Sequence, residues 1–508
     1  MGTIDGFYRK LRDRVFGRRV REEGKPIAPS LRGQEAPQPL QSDRIPLAVA
    51  PRVWQIGLDF GTCFCKTVCR DVVIDKARAY IPDVPSHPEL PFLIPSNVSF
   101  DGRRLRAPRG KGTHYTEGGL YHLKLALEQV ALGNYGAKVL QPLRHTLRVQ
   151  TDPELANLVK ACAVYLLGGI LGSVRRQIRQ QRGLDSPGCS GDWIAVNMAI
   201  PVADAQRPVV MATYQEVLET AWRFADSLAG HPTVELMELA CSVLNRSGPG
   251  DPRAAEECFV YPEVFASIQV FVRSRASEPG FYFFSDTGAG TVDQCIFHFI
   301  RHDGNPNTMY YPGPLRDDER YEATLEWIRR GQSYLRAYSA AVLPLGSAQI
   351  EILAAGQAPE DRRTQEMERW RRLKESNSSH PSLDSVRQKI GARLRDATQQ
   401  TLRDARRKGW NADDPGPVKI VFGGGGHCQF PYADAVRASL PAAIQVGLPP
   451  PTDLDLAGQR GTWMTRLAVA YGLSFQRQQL SKFTFPDELP ERSERQEHVP
   501  DLEEHRWW

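Results

Sequence analysis

The sequence has no uninterrupted apolar run of about 18 residues, the length a membrane-crossing helix needs, so no spanning segment is expected. It has little net charge: +5 over 508 residues is too small an excess for a dedicated nucleic-acid binder. The first residues are charged but carry no hydrophobic stretch, which excludes a secretory signal of the usual kind. "MGTIDG" places Gly6 where a myristoylation signal has Ser or Thr. No H-E-x-x-H and no G-x-S-x-G occurs, so zinc-protease and serine-hydrolase chemistry have no local signature. The cysteines number nine, an odd count, and several sit in apolar runs. That pattern points to reduced thiols and a cytoplasmic setting. Cys63, Cys65 and Cys69 are spaced C-x-C-x3-C but lack a fourth metal ligand nearby, and read as small buried hydrophobes.

What is present is an ordinary globular balance, 41% hydrophobic and 24% charged, over a length that suits several domains. Charge is unevenly spread. Between Phe7 and Arg21 seven basic residues face one acid, Asp13, in a pattern that reads as a short basic amphipathic helix. Such a helix would suit an anionic membrane surface or an acidic partner. A Pro-rich linker follows to about residue 50. Residues 476–508 form an acidic, Pro-containing tail ending in Trp507 and Trp508. Between these tails, strands and helices alternate, the pattern of an α/β chain.

Two stretches share one logic. "IGLDFGTCFCKTV" and "FFSDTGAGTVDQCIF" each run from an apolar strand through an aspartate and a glycine turn with threonine into a second apolar strand. Glycine turns let backbone N–H groups close on an anion. Aspartates facing phosphate make sense with Mg2+ and its waters between them. The first turn holds Asp59, Gly61, Thr62 and Cys63; the second holds Asp286, Gly288, Ala289, Gly290 and Thr291. A third glycine turn, Gly423 to Gly426, follows "VKIVF".

These stretches, with "MAIPVADAQRPVVMATY", "VRQKIGARLRDATQQTLRDARRKG" and "RLAVAYGLS" in this order, resemble the actin-like ATPase superfamily. The likeness is greatest to the nucleotide-binding domain of the seventy-kilodalton heat-shock chaperones, over roughly residues 53–475. The resemblance implies two similar lobes of ribonuclease-H-like fold around a nucleotide cleft, with lobes at 51–275 and 276–475, the latter with a reduced upper subdomain. It implies ATP or ADP and Mg2+ as ligands. Asp59 and Asp286 would hold the metal's waters. Gly61, Thr62, Cys63, Gly288, Ala289, Gly290, Thr291 and Gly346 would lie along the phosphates, with Asp293 closing the second motif. Gly424, Gly425 and His427 would meet the nucleoside, as would Glu368, Arg371 and Arg372, although a solvated charged helix fits that last stretch too. Lys66 falls where the actin branch has a phosphate-binding lysine, or is a lysine at a strand edge. Lys124 matches the chaperones' catalytic lysine, or is a lysine on a helix surface.

The chain also departs from the family. Tyr261 occupies the position of the catalytic glutamate, and Glu263 follows two residues later in "VYPEVFAS". Cys63 replaces a hydroxyl and Ala289 a glycine. The residues after "YGLSFQRQQL" are too few for a peptide-binding domain. The functions implied are a chaperone-like, ATP-driven conformational switch acting on a partner protein, an actin-like filament-forming ATPase, or a nucleotide-binding scaffold without turnover. A sugar-kinase relation would need a catalytic aspartate, for which Asp204 is the candidate.

Overall fold

A computed structural model describes residues 51–83, 85, 91–107, 118–182, 192–200, 207–230, 233–245, 257–274, 278, 280–288, 292–299, 325–328, 381–407, 417–424, 427, 432–456, 464–477 and 479–480. The basic N-terminal segment, the acidic tail, Gly346, Glu368, Arg371, Arg372, Ala289, Gly290, Thr291, Gly425 and Asp204 lie outside the described residues.

The fold is mixed α/β, as the alternation of elements predicts. Its first sheet begins with β1 (Val53–Phe60), β2 (Phe64–Asp71) and β3 (Lys76–Ala79), with the two-residue β4 (Ile94–Pro95) beside β2. A smaller sheet is formed by β5 (Val98–Phe100), β6 (Arg104–Arg106), β7 (Gly119–Leu120) and β9 (Thr233–Glu235). β8 (Trp193–Ile200) and β10 (Cys258–Pro262) extend the first sheet beyond β1, in parallel. The second large sheet contains β11 (Gly280–Thr287), β12 (Val292–Phe299), β13 (Leu325–Ile328), β14 (Lys419–Gly424) and β15 (Ile444–Val446). Late in the chain, β16 (Leu454–Asp455) returns to pair with β3 of the first sheet.

The two large sheets share one order. In each, the leading strand, β1 or β11, makes an antiparallel hairpin with the next, β2 or β12. A third antiparallel strand, β3 or β13, lies outside that hairpin. On its other edge the leading strand has two parallel neighbours in succession, β8 and β10 or β14 and β15.

The described helices are α1 (Leu123–Ala131), α2 (Leu140–Leu147), α3 (Asp152–Gln181), α4 (Pro208–Gly230), α5 (Leu236–Asn245), α6 (Glu263–Val272), α7 (Pro381–Arg407), α8 (Tyr432–Ser439) and α9 (Met464–Leu473). α3 opens with Pro153 and with Asp152 and Glu154 in its first turn, where the missing N–H costs nothing and negative charge suits the helix end. By length and mean hydropathy α3 is apolar enough to cross a membrane, although polar residues interrupt its apolar stretches. Its apolar surface lies inside the protein instead, with 78% of its most apolar 18 residues buried. Gly172 lets it approach α4 closely: a Cβ there would lie 1.9 Å from the Ala225 carbonyl oxygen.

Strand alternation sorts the core into layers. On β1, Trp54, Ile56, Leu58 and Phe60 face the cluster built with α1, α3 and α4. Residues on the opposite face meet α9, which a Cβ on Gly57 would strike at Ala470. On β11, Phe283 faces α7 and α8, while Tyr282 and Phe284 face a cluster that also holds Val68 of β2, Phe265 and Phe271 of α6, and Leu467 and Tyr471 of α9. α6 and α9 therefore lie between the two large sheets, sharing one core with both.

Candidate functional site

The same alternation places the acidic turns. Asp59 shares its face of β1 with Gly57, and Asp286 shares its face of β11 with Tyr282 and Phe284. Both point into the space between the sheets. Asp286 is paired in register with Asp293, and Asp59 with Lys66, so the hairpin partners deliver one more acid and one base to the same side. Lys66 Nζ donates to Asp59 Oδ2 at 2.5 Å. Asp59 and Asp293 are buried, and Asp286 is partly exposed at the end of its strand.

Lys124 lies in the first turn of α1 and is buried, with 4% of its surface exposed, so it is no surface lysine. Its ammonium donates to Glu263 Oε1 in an ion pair. Glu263 is the first residue of α6, directly after Pro262, whose extended backbone ends β10. An acid at a helix N-terminus sits favourably with the helix dipole. Tyr261, by contrast, packs into the apolar layers and stacks on Phe265, with ring centroids 6.1 Å apart. Glu263, two residues after Tyr261, is the acid that this corner pairs with Lys124. The strand-to-helix corner turns the side chain of residue 263, not 261, towards α1.

These groups shift one another's protonation. Burial pushes the Glu263 carboxyl up to about 7; Lys124 opposes this, while Asp293 and Asp59 add to it. Burial by itself would depress Lys124, but Glu263 and Asp59 outweigh it and hold the ammonium above its ordinary value. Desolvation raises Asp286 well above the usual carboxylate range, reinforced by Glu263, Asp293 and Asp59. Four acids and two lysines drawn from both sheets, α1 and α6 therefore form one coupled cluster.

The glycine turns fit around it. A Cβ on Gly61 would lie 2.3 Å from the Phe64 carbonyl oxygen and 3.3 Å from Lys66 Nζ. Gly424 has φ +71°, a conformation that favours glycine, and a Cβ there would lie 2.4 Å from Asp286 Oδ1. β14 thus presses its glycines onto the Asp286 carboxylate. His427 closes this turn: its Nδ1 donates to the Gly424 carbonyl oxygen at 2.9 Å, and its ring stacks on Phe422. Thr62 is buried, and Cys63 and Gly288 are partly so. Burial pushes the thiols of Cys63, Cys65 and Cys69 up to about 12, so they stay protonated and behave as small hydrophobes.

Among the described residues no group of three His, Cys, Asp or Glu side chains is close enough to ligate a metal directly. No family model matches the chain, and no curated protein matches it.

Proposed function

We propose that the protein binds Mg·ATP between its two large sheets, hydrolyses it, and works as a nucleotide-driven switch on a partner protein. The fold behind this reading is two lobes of ribonuclease-H-like topology. Its support is the strand order common to both sheets, which brings Asp59 and Asp286 to equivalent ends of the two leading strands. The observation that carries the reading is the meeting of both aspartates with the Lys124–Glu263 pair in one coupled cluster.

The donor set suits Mg2+: it consists of carboxylate oxygens, and an ammonium already rests on one of them. Asp59 and Asp286 would hold the ion through its waters, as the resemblance implies; among the described residues no three such groups come close enough to ligate it directly. When bound, the ion would neutralise phosphate charge. Backbone N–H groups at Gly61, Thr62 and Gly288 would line the phosphates. Lys124 supplies a fixed positive charge opposite the charge that develops on the transferred phosphoryl group. Glu263 is the group to accept a water proton, since a base with a pKa near 7 is half-charged at neutral pH and still strong enough to act. α6 and α9, wedged between the sheets, would transmit a change in sheet spacing to the surface that a partner meets.

Phosphate release from Mg·ATP by the purified chain tests this. Turnover that depends on Mg2+ and disappears in Lys124→Ala, with nucleotide still bound, is expected. A protein that binds no Mg·ATP by calorimetry would sink the reading.

A further inference from the structure

We propose that Tyr214 is a positioning residue for this site: its hydroxyl fixes the backbone at Lys124 and so sets where the ammonium stands against Glu263. Its effect on turnover rests on the nucleotide reading above; its effect on Lys124 does not.

α1 has little of its own to hold its start. It is nine residues long, too short to be stable alone. No side-chain hydrogen bond caps it, and its N-cap residue, His122, is buried in the left-handed conformation at φ +57°. That conformation is unfavourable for a non-glycine residue, so tertiary contacts must hold it. Every residue from Leu123 to Val130 is buried. The direction of Lys124 is thus set by what packs on α1.

From α4, Tyr214 reaches into this packing. It is fully buried, and its Oη donates to the Lys124 carbonyl oxygen at 2.9 Å. Its ring lies against Phe60, with centroids 6.5 Å apart and planes tilted by 56°. Phe60 directly follows Asp59 and precedes the Gly61 turn. One side chain therefore touches both the backbone that carries the site's buried lysine and the strand end that carries its first aspartate. Leu123, Leu125, Ala126, Leu127 and Val130 of α1 bury apolar side chains, whose contacts tolerate sliding; a hydrogen bond to one carbonyl does not.

Tyr214→Phe removes the hydroxyl and keeps the ring on Phe60. Tyr282→Phe is the control: it deletes another buried tyrosine hydroxyl, bonded to the Glu278 carbonyl, away from α1. The first readout is acetylation of Lys124 by an activated acetyl ester in the nucleotide-free full chain, followed by mass spectrometry. The expected result is Lys124 modified about 3-fold or more faster in Tyr214→Phe, with surface lysines unchanged and Tyr282→Phe like wild type; a few-fold change follows from loosening one hydrogen bond. The second is single-turnover kinetics with Mg·ATP, where the rate should fall about 10-fold or more while KM stays within about 2-fold. Unchanged Lys124 modification overturns the proposal, as does an unchanged rate in a hydrolysing protein. If modification rises but wild type hydrolyses no ATP, the positioning role stands and the nucleotide reading falls.

Discussion

Lys124 and Glu263 stand 139 residues apart in the chain and form a buried ion pair that ties α1 to the start of α6. A buried pair of this kind is weak evidence for stability, because desolvating two charges costs about as much as their attraction returns. Its placement beside Asp59, Asp286 and Asp293 is what the proposed function uses.

The pair gives a pH dependence. Glu263 is raised from the ordinary glutamate value to about 7, so it holds its proton below neutrality and cannot accept another. Turnover should therefore climb as pH rises through about 7 rather than through the usual carboxylate range. Glu263→Gln should lower the rate by about 10²-fold or more and remove that acid limb. A pH–rate profile of both proteins checks this; a limb that survives in Glu263→Gln assigns it to another group.

Asp286 should show opposite effects on binding and stability. Its carboxyl is desolvated and repelled by Glu263, Asp293 and Asp59. Asp286→Ala removes a desolvated carboxyl that lies among like charges, so the variant should be as stable as wild type or more so. It should nevertheless lose Mg·ATP binding in calorimetry. A variant that melts lower and still binds would show that the aspartate has only a structural role.

Much of this site was legible in the sequence. Two apolar strands, each ending in an aspartate and a glycine turn, announce their own equivalence. Period-two alternation then tells which face each acid takes, because Asp286 stands two and four residues from Phe284 and Tyr282. Glu263 was harder to see: whether it or Tyr261 faces Lys124 depends on how the corner at Pro262 turns, which no local pattern encodes. The small sheet of β5, β6, β7 and β9 was missed because its strands have only two or three residues, too short for periodicity. So was the return of β16 to the first sheet, a pairing between residues about 380 positions apart.

Arg70 marks the far end of β2 from Lys66, on the same face. Its guanidinium is fully buried, donates to Asp453 at 2.6 Å and to Ser474 at 3.3 Å, and lies 3.8 Å from the Phe475 ring centroid. Asp453 also accepts from the Tyr471 hydroxyl at 2.8 Å. Removing the carboxylate leaves a buried cation whose one remaining acidic partner among the described residues is the exposed Asp75. Asp453→Ala should cost about 3 kcal/mol, read as a lowered urea midpoint. A loss under about 1 kcal/mol would mean that Asp75 and the rings of Phe475 and Tyr471, the latter 5.2 Å from the guanidinium, hold Arg70 by themselves.

Glycines at α9 and α3 separate close packing from mere presence. A Cβ on Gly472 would lie 1.8 Å from the Ala266 carbonyl oxygen of α6, backbone that cannot swing aside. Gly472→Ala must push the two central helices apart, and the expected loss is about 3 kcal/mol or more. Gly169 sits in the middle of α3 with nothing within 4 Å of its would-be Cβ. There the alanine meets no clash and removes backbone freedom from the unfolded chain, so Gly169→Ala should gain about 0.5–1 kcal/mol. Chemical denaturation of the two variants should move the midpoint in opposite directions. Because α6 carries Glu263, Gly472→Ala should also slow turnover more than Gly169→Ala does; equal turnover in both would uncouple the spacing of the central helices from the site.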